Sequence, residues 1–133
     1  MKYQRLQSSQ DIIAGLISGP GNVIPDSALT ASTTYNNNPK RTPRCSRLET
    51  PREDCDHGVW VMDPDDTDPW IMADLGGIYL VQGVTTKGRP TTDYNWVTSY
   101  KIAYSYKSTD MSEFVWYLNI GATATVSYIN MTF

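Results

Sequence analysis

An antiparallel all-β sandwich or barrel is the fold class that this 133-residue sequence predicts, and three observations predict it. Nine Tyr and four Trp, with frequent Thr and Val, favour strands over helices. Several short stretches alternate apolar and polar residues, and almost none carries a helical period. Gly- and Pro-containing turns separate those stretches at strand-like spacing. One domain is expected at this length, and a chain this long buries enough surface for a single core. The composition, 40% apolar and 19% charged, is neither disordered nor fibrous. No apolar run approaches the roughly 18 residues of a membrane-spanning helix. A single histidine, His57, leaves little room for most metal and acid–base chemistry, and nucleic acid is not an expected partner at a net charge of -3.

Residues 1–14 read as an N-terminal extension. Lys2 and Arg5 precede the apolar segment Ile12 to Ile17, but Ser8, Ser9, Gln10 and Asp11 intervene and no small-residue cleavage site follows, so a signal peptide is not expected. Two readings stand for this segment. One is a short helix capped by Ser8 and Asp11 and stopped at Gly19-Pro20-Gly21; the other is a turn-rich lead into a first strand near Val23. Leu29 to Tyr35 reads as a strand entering a loop at Asn36-Asn37-Asn38-Pro39. Trp70 to Leu75 alternates as a half-buried strand, and Gly76-Gly77 predicts a two-residue hairpin leading into Ile78 to Thr86. The best alternation puts Tyr100, Ile102, Tyr104 and Tyr106 on one face and Ser99, Lys101, Ala103, Ser105 and Lys107 on the other. Phe114 to Leu118 and Ala124 to Phe133 complete the strand candidates.

The near-neutral total conceals a local contrast. Lys40, Arg41, Arg44, Arg47 and Arg52 stand against Glu49 alone, and the next stretch holds Glu53, Asp54, Asp56, Asp63, Asp65, Asp66, Asp68 and Asp74 without a base. A basic loop followed by an acidic one pairs locally or lines opposite walls of a site.

Five blocks occur in a telling order: Ile24-Pro25-Asp26-Ser27-Ala28-Leu29-Thr30-Ala31-Ser32, Gly58-Val59-Trp60, Pro69 to Gly77, Gly83 to Arg89, and Trp96 to Ser105. Together they resemble the discoidin domain, also called the coagulation factor V/VIII type C domain, from about Gly15 to about Trp116. The resemblance implies an eight-stranded antiparallel jelly roll of the galactose-binding type spanning residues 15–133, an extracellular or cell-surface setting, no enzymatic activity, and ligand binding by loops at one end of the barrel. It thins after Trp116. The family continues for about two more strands than this chain provides, which leaves three readings: a fragment of a larger multidomain protein, an alternative chain end, or a tail from Ala124 to Phe133 that replaces a missing strand.

The resemblance places the binding loops at Thr33 to Arg44 and Arg89 to Asn95. The candidate ligand-binding residues are Tyr35, Asn36, Asn37, Asn38, Arg41, Arg89, Thr92, Asp93, Tyr94 and Asn95. In lipid-binding relatives the loop tips are large and apolar. Here they are amides, hydroxyls and a carboxylate, so insertion into a membrane is disfavoured. Tyr packs against a ligand while Asn and Arg hydrogen-bond to it, which suits a cell-surface or matrix glycan or glycoprotein. Collagen is a second candidate, because Ser46-Arg47-Leu48-Glu49 and Arg89 are similar to collagen-binding relatives, although Asn95 stands where those place an acid. Two alternatives remain: an accessory carbohydrate-binding domain of a larger secreted enzyme, and peripheral binding to anionic phospholipid.

In an extracellular domain Cys45 and Cys55 are expected to form a disulfide; two free thiols are the rival reading. The family's terminal cysteine pair has no counterpart here. No cofactor is expected, with calcium at Asp63-Pro64-Asp65-Asp66-Thr67-Asp68-Pro69 as a minor alternative to a solvated acidic turn. Trp60, Trp70, Trp96 and Trp116 are expected in the core, and Arg89 divides between ligand contact and scaffold. Asn130-Met131-Thr132 is an N-glycosylation acceptor if Asn130 is exposed.

Overall fold

A computed structural model describes residues 15–19, 24–51, 53–81, 83–89, 96–105, 115–116 and 124–132 of the chain. Among the described residues five strands form one antiparallel sheet: β1 (Leu29–Ala31), β2 (Trp70–Val81), β3 (Lys101–Ser105), β4 (Val115–Trp116) and β5 (Ala124–Thr132), in the order β1-β2-β5-β3-β4. The helical elements among the described residues are single 3-10 turns of three or four residues. This is the all-β architecture that the aromatic, β-branched composition predicts. The expected strand start near Val23 lies outside the described residues; a turn at Asp26–Ala28 precedes β1, and Arg47 holds that turn in place through Asp26.

The two segments separated by Gly76-Gly77 are one strand, which corrects the hairpin expectation. Both halves of β2 pair with β5, Trp70 to Asp74 against Thr132 to Tyr128 and Tyr79 to Val81 against Val126 to Ala124. Between them Leu75 to Ile78 face Ser127 alone, so the glycines make a bulge. The physical reason is local. Gly76 has φ of 67° and its N–H donates to Asp74 Oδ1 at 2.8 Å, a kink inside the strand that leaves the chain direction unchanged.

The segment Ala124–Thr132 occupies the middle of the sheet, hydrogen-bonded to β2 on one side and β3 on the other. It brings distant strands into common rows: Ala31, Ile71, Met131 and Ile102 lie level, as do Leu29, Ala73, Ile129 and Tyr104. One face of the sheet carries the core of Ile24, Leu29, Ala73 and Leu75, with Leu16, Ile17, Ala28, Ile102 and Tyr104 packed against it. Burying Leu75, which is 1% exposed, contributes roughly 1.5–3 kcal/mol. The alternation of β3 predicts this face, but its small-residue face is covered too. Ala103 is 1% exposed and Ser105 4%, and Met72 in β2 is also buried. β2 and β3 thus carry buried side chains on both faces, as a layered β fold requires.

Candidate ligand-binding site

The common rows fix which loops meet. β1 leaves the sheet at Ala31, and the neighbouring strands enter it at Trp70 and Lys101, all level with the C-terminal end of β5. The loop after β1, the acidic loop before β2 and the segment before β3 thus converge on one end of the sheet.

The loop after β1 is held by polar contacts at both ends. At its start, Ser32 and Trp70 exchange bonds: Ser32 N–H donates to Trp70 O at 3.0 Å, and Trp70 N–H donates to Ser32 Oγ at 3.1 Å. The hydroxyls of Ser32 and Thr33 both donate to Asp66 Oδ2, at 2.5 and 2.7 Å. Thr33 Oγ1 also accepts the Asp63 N–H, and Thr33 O accepts the Trp60 indole N–H, both at 3.0 Å. At the far end Asp56 N–H donates to Lys40 O at 2.8 Å, Lys40 Nζ to Glu53 O, and Arg44 Nη2 to Asp54 O. The basic and acidic stretches pair locally, one of the two arrangements their adjacency predicts.

Between these anchors sits a three-residue assembly. The Arg41 guanidinium lies 4.7 Å from the centroid of the Tyr35 ring, and its Nε and Nη2 donate to Asp56 Oδ2 at 3.3 and 3.2 Å. Tyr35 N–H donates to Val61 O, and Val61 N–H donates to Arg41 O, so the backbone fixes both partners of the stack. Asn36 and Asn37 follow with φ of 49° and 50°, the left-handed region that Asn tolerates better than other side-chain-bearing residues. Both are exposed. Asn38 is used by the turn itself: its Oδ1 accepts the Lys40 N–H at 2.9 Å.

The disulfide between Cys45 and Cys55 is formed, with both residues buried and a Cα–Cα distance of 5.6 Å, within the ordinary range. It clamps the return of the loop against the strip that carries Asp56. Next to it, His57 and Gly58 both adopt positive φ, and a Cβ on Gly58 would meet Thr50 O at 3.2 Å, so only glycine closes this turn without strain.

The Asp66 carboxyl is held below the ordinary carboxylate value, first by the Ser32 hydroxyl, then by that of Thr33, with Asp68 N–H adding a smaller pull. The sign for stability follows from linkage. A carboxyl depressed on folding stabilises the fold fully above its unfolded value, near 3.8, and that contribution is lost as pH falls through the lower folded value. We expect the melting-temperature gap between wild type and Asp66→Asn to be constant above about pH 5 and to shrink below about pH 4; thermal melts at stepped pH check it, and a gap that widens on acidification contradicts it. The calcium alternative falls on this same loop. Asp63 Oδ1 already accepts the Asp65 N–H. Among the described residues no group of three or more His, Cys, Asp or Glu side chains is placed to hold a metal.

The other sequence-based candidates are placed as follows. Arg89 is half-buried at the end of the segment 83–89. Thr92, Asp93, Tyr94 and Asn95 lie outside the described residues, as does the whole N-terminal extension, residues 1–14. Asn130 stands in central β5, paired with Met72 on one side and Ala103 on the other. Arg47, within the Ser46–Glu49 stretch of the collagen comparison, is turned inward. Its side chain is 14% exposed and bonds Asp26 Oδ1, Ile24 O and Ile17 O. Trp60 and Trp70 are half-buried, but Trp96 is 66% exposed, which corrects its assignment to the core. Its position just before β3 begins, past the last residue with a β5 partner, accounts for that exposure. Sequence reasoning also missed Asp56 and Asp66 as the partners that organise the loop. Each is one carboxylate among eight in its stretch, and only the fold selects it.

The geometry defines the class: an all-β domain whose polar loops gather at one end of the sheet. More narrowly, residues 28–132 match the family model of the F5/8 type C domain, and the chain belongs to that family. The match runs through β5, past Trp116 where the motif-by-motif resemblance thins. Among solved structures, chitosan-binding module 1 derived from a chitosanase/glucanase of Paenibacillus sp. IK-5 is similar at a TM-score of 0.49 and 13% identity, covering 78% of this chain and 79% of that one.

Proposed function

We propose that this chain is a non-enzymatic extracellular recognition module that binds an uncharged glycan on a cell surface or in the matrix through the loop Thr33–Arg44. The observation that carries this reading is the Tyr35–Arg41–Asp56 assembly. An aromatic ring is held rigidly in a loop by its own backbone bonds and by a guanidinium, with two exposed Asn side chains beside it. A rigid ring and adjacent amides are what an uncharged polyhydroxylated ring needs: an apolar face to pack on, and donors and acceptors around its edge. Pre-organisation lowers the entropy lost on binding.

Charge narrows the ligand class. Arg41 is neutralised by Asp56 and Arg47 by Asp26. The loop is bordered on one side by Asp63, Asp65, Asp66 and Asp68, and on the other its cations Lys40 and Arg44 are engaged by the backbone carbonyls of Glu53 and Asp54. Such a border repels sulfated or phosphorylated ligands and anionic bilayers. Family membership and the buried disulfide support an extracellular setting. A role as the accessory carbohydrate-binding domain of a larger secreted enzyme uses the same surface.

A panel of neutral and sulfated glycans, collagen and phosphatidylserine vesicles tests the reading. Neutral glycans are expected to bind, and Tyr35→Ala to weaken that binding at least about tenfold, equivalent to about 1.4 kcal/mol. Binding confined to sulfated glycans or to anionic vesicles contradicts it.

A further inference from the structure

Trp96, Val97 and Tyr100 are 66%, 48% and 39% exposed, an unusual concentration of large apolar side chains on the surface. They lie immediately before β3, whose first residue, Lys101, is level with Thr132 and, through it, with Trp70. The Tyr35 loop begins at the same level, since Ser32 bonds to Trp70. Both aromatic surfaces therefore stand at the same end of the sheet. Between β1 and β3 in the strand order lie β2 and β5, so the two surfaces arise from points three inter-strand spacings apart, about 14 Å.

Resting on the glycan reading above, we infer that the ligand is an extended oligosaccharide that crosses this end of the sheet, with Trp96 and Tyr100 as a second contact surface beyond the Tyr35 loop. A single sugar ring cannot reach across such a separation, whereas a chain of several can engage both surfaces. Exposed Thr98 and Ser99 lie between Trp96 and Tyr100 in sequence and supply hydroxyls beside the rings, the mixture of apolar face and polar edge already met at Tyr35. Two linked contacts make the second one intramolecular, so affinity rises with chain length until both are occupied.

The test uses the whole chain and neutral oligosaccharides of one to six units, in β-1,4-linked glucose, β-1,4-linked N-acetylglucosamine and galactose-terminated series, measured by isothermal titration. Wild type is expected to gain affinity with length. Trp96→Ala is expected to lose about tenfold on the longest oligosaccharide and less than about twofold on the monosaccharide. Tyr35→Ala is expected to weaken both. Trp96→Phe retains a ring and restores most of the affinity for the longest oligosaccharide, while abolishing the tryptophan-fluorescence change that this ligand causes in wild type. If Trp96→Ala keeps the full length dependence while Tyr35→Ala weakens every length, the extended site is overturned and the loop reading stands. If no neutral series binds, both are overturned.

Discussion

Replacing Cys45 and Cys55 together by Ala lowers the melting temperature by roughly 10 °C. The bridge encloses nine residues, and closing so short a loop in the unfolded chain is worth about 3 kcal/mol on the chain-entropy estimate. A domain of this length has an unfolding entropy that converts each kcal/mol into roughly 3–4 °C. The loss is not confined to stability. The disulfide pins Cys45 to Cys55, the residue next to Asp56, whose N–H donates to the Lys40 carbonyl and whose carboxylate pairs with Arg41. The double variant is therefore expected to bind its glycan more weakly even well below its melting temperature. Calorimetric scanning with glycan titration at 15 °C checks both parts, and a shift below about 2 °C with unchanged affinity contradicts them.

Arg47→Met is the second large effect, a loss of roughly 2–3 kcal/mol and 7–10 °C. Methionine keeps the apolar stem but removes the guanidinium, which gathers the Asp26 carboxylate and the carbonyls of Ile17 and Ile24. The carboxylate is more than half exposed and is rehydrated at little cost. The two carbonyls are partly buried and lose a charged donor, and with them goes the tie between the 15–19 segment and the core around Ile24. Asp26→Ala alone is thus expected to cost less than about 1 kcal/mol, and Arg47→Lys to fall between, since an ammonium lacks the planar fork that reaches three acceptors. Equal losses for Arg47→Met and Asp26→Ala would show the ion pair, rather than the carbonyl clamp, to be the anchor.

Sequence and fold agree where a local rule is also the global one. In β3, Ile102 and Tyr104 stand on the apolar face that meets the core, and Leu29, Ala73 and Leu75 carry apolar patterns for the same reason. The rule fails at Gly76-Gly77, where a glycine pair is compatible with a reverse turn or a bulge, and the pairing of both flanks with β5 decides. That strand lies some fifty residues away along the chain, beyond any local signal. Trp96 shows a related limit: a tryptophan inside a strand-like block is expected to be buried, but the block begins before the sheet does. Within the site, Tyr35 and Arg41 are legible from their loop, and their contact is not, because it depends on Asp56 returning under the disulfide. Arg47 is legible as a charge alone. The same basic stretch holds one arginine turned inward to brace the fold and another stacked on a ring, and sequence composition does not separate them.

The central claim is that one end of the sheet, bounded by the loop after β1 and the segment before β3, receives a neutral glycan. Amide chemical-shift mapping by NMR during titration with the longest neutral oligosaccharide that binds tests it most directly. The account predicts perturbations concentrated in Thr33–Arg44 and Trp96–Tyr100. Perturbations concentrated instead at the opposite end of the sheet, where Val81 pairs with Ala124, would contradict it.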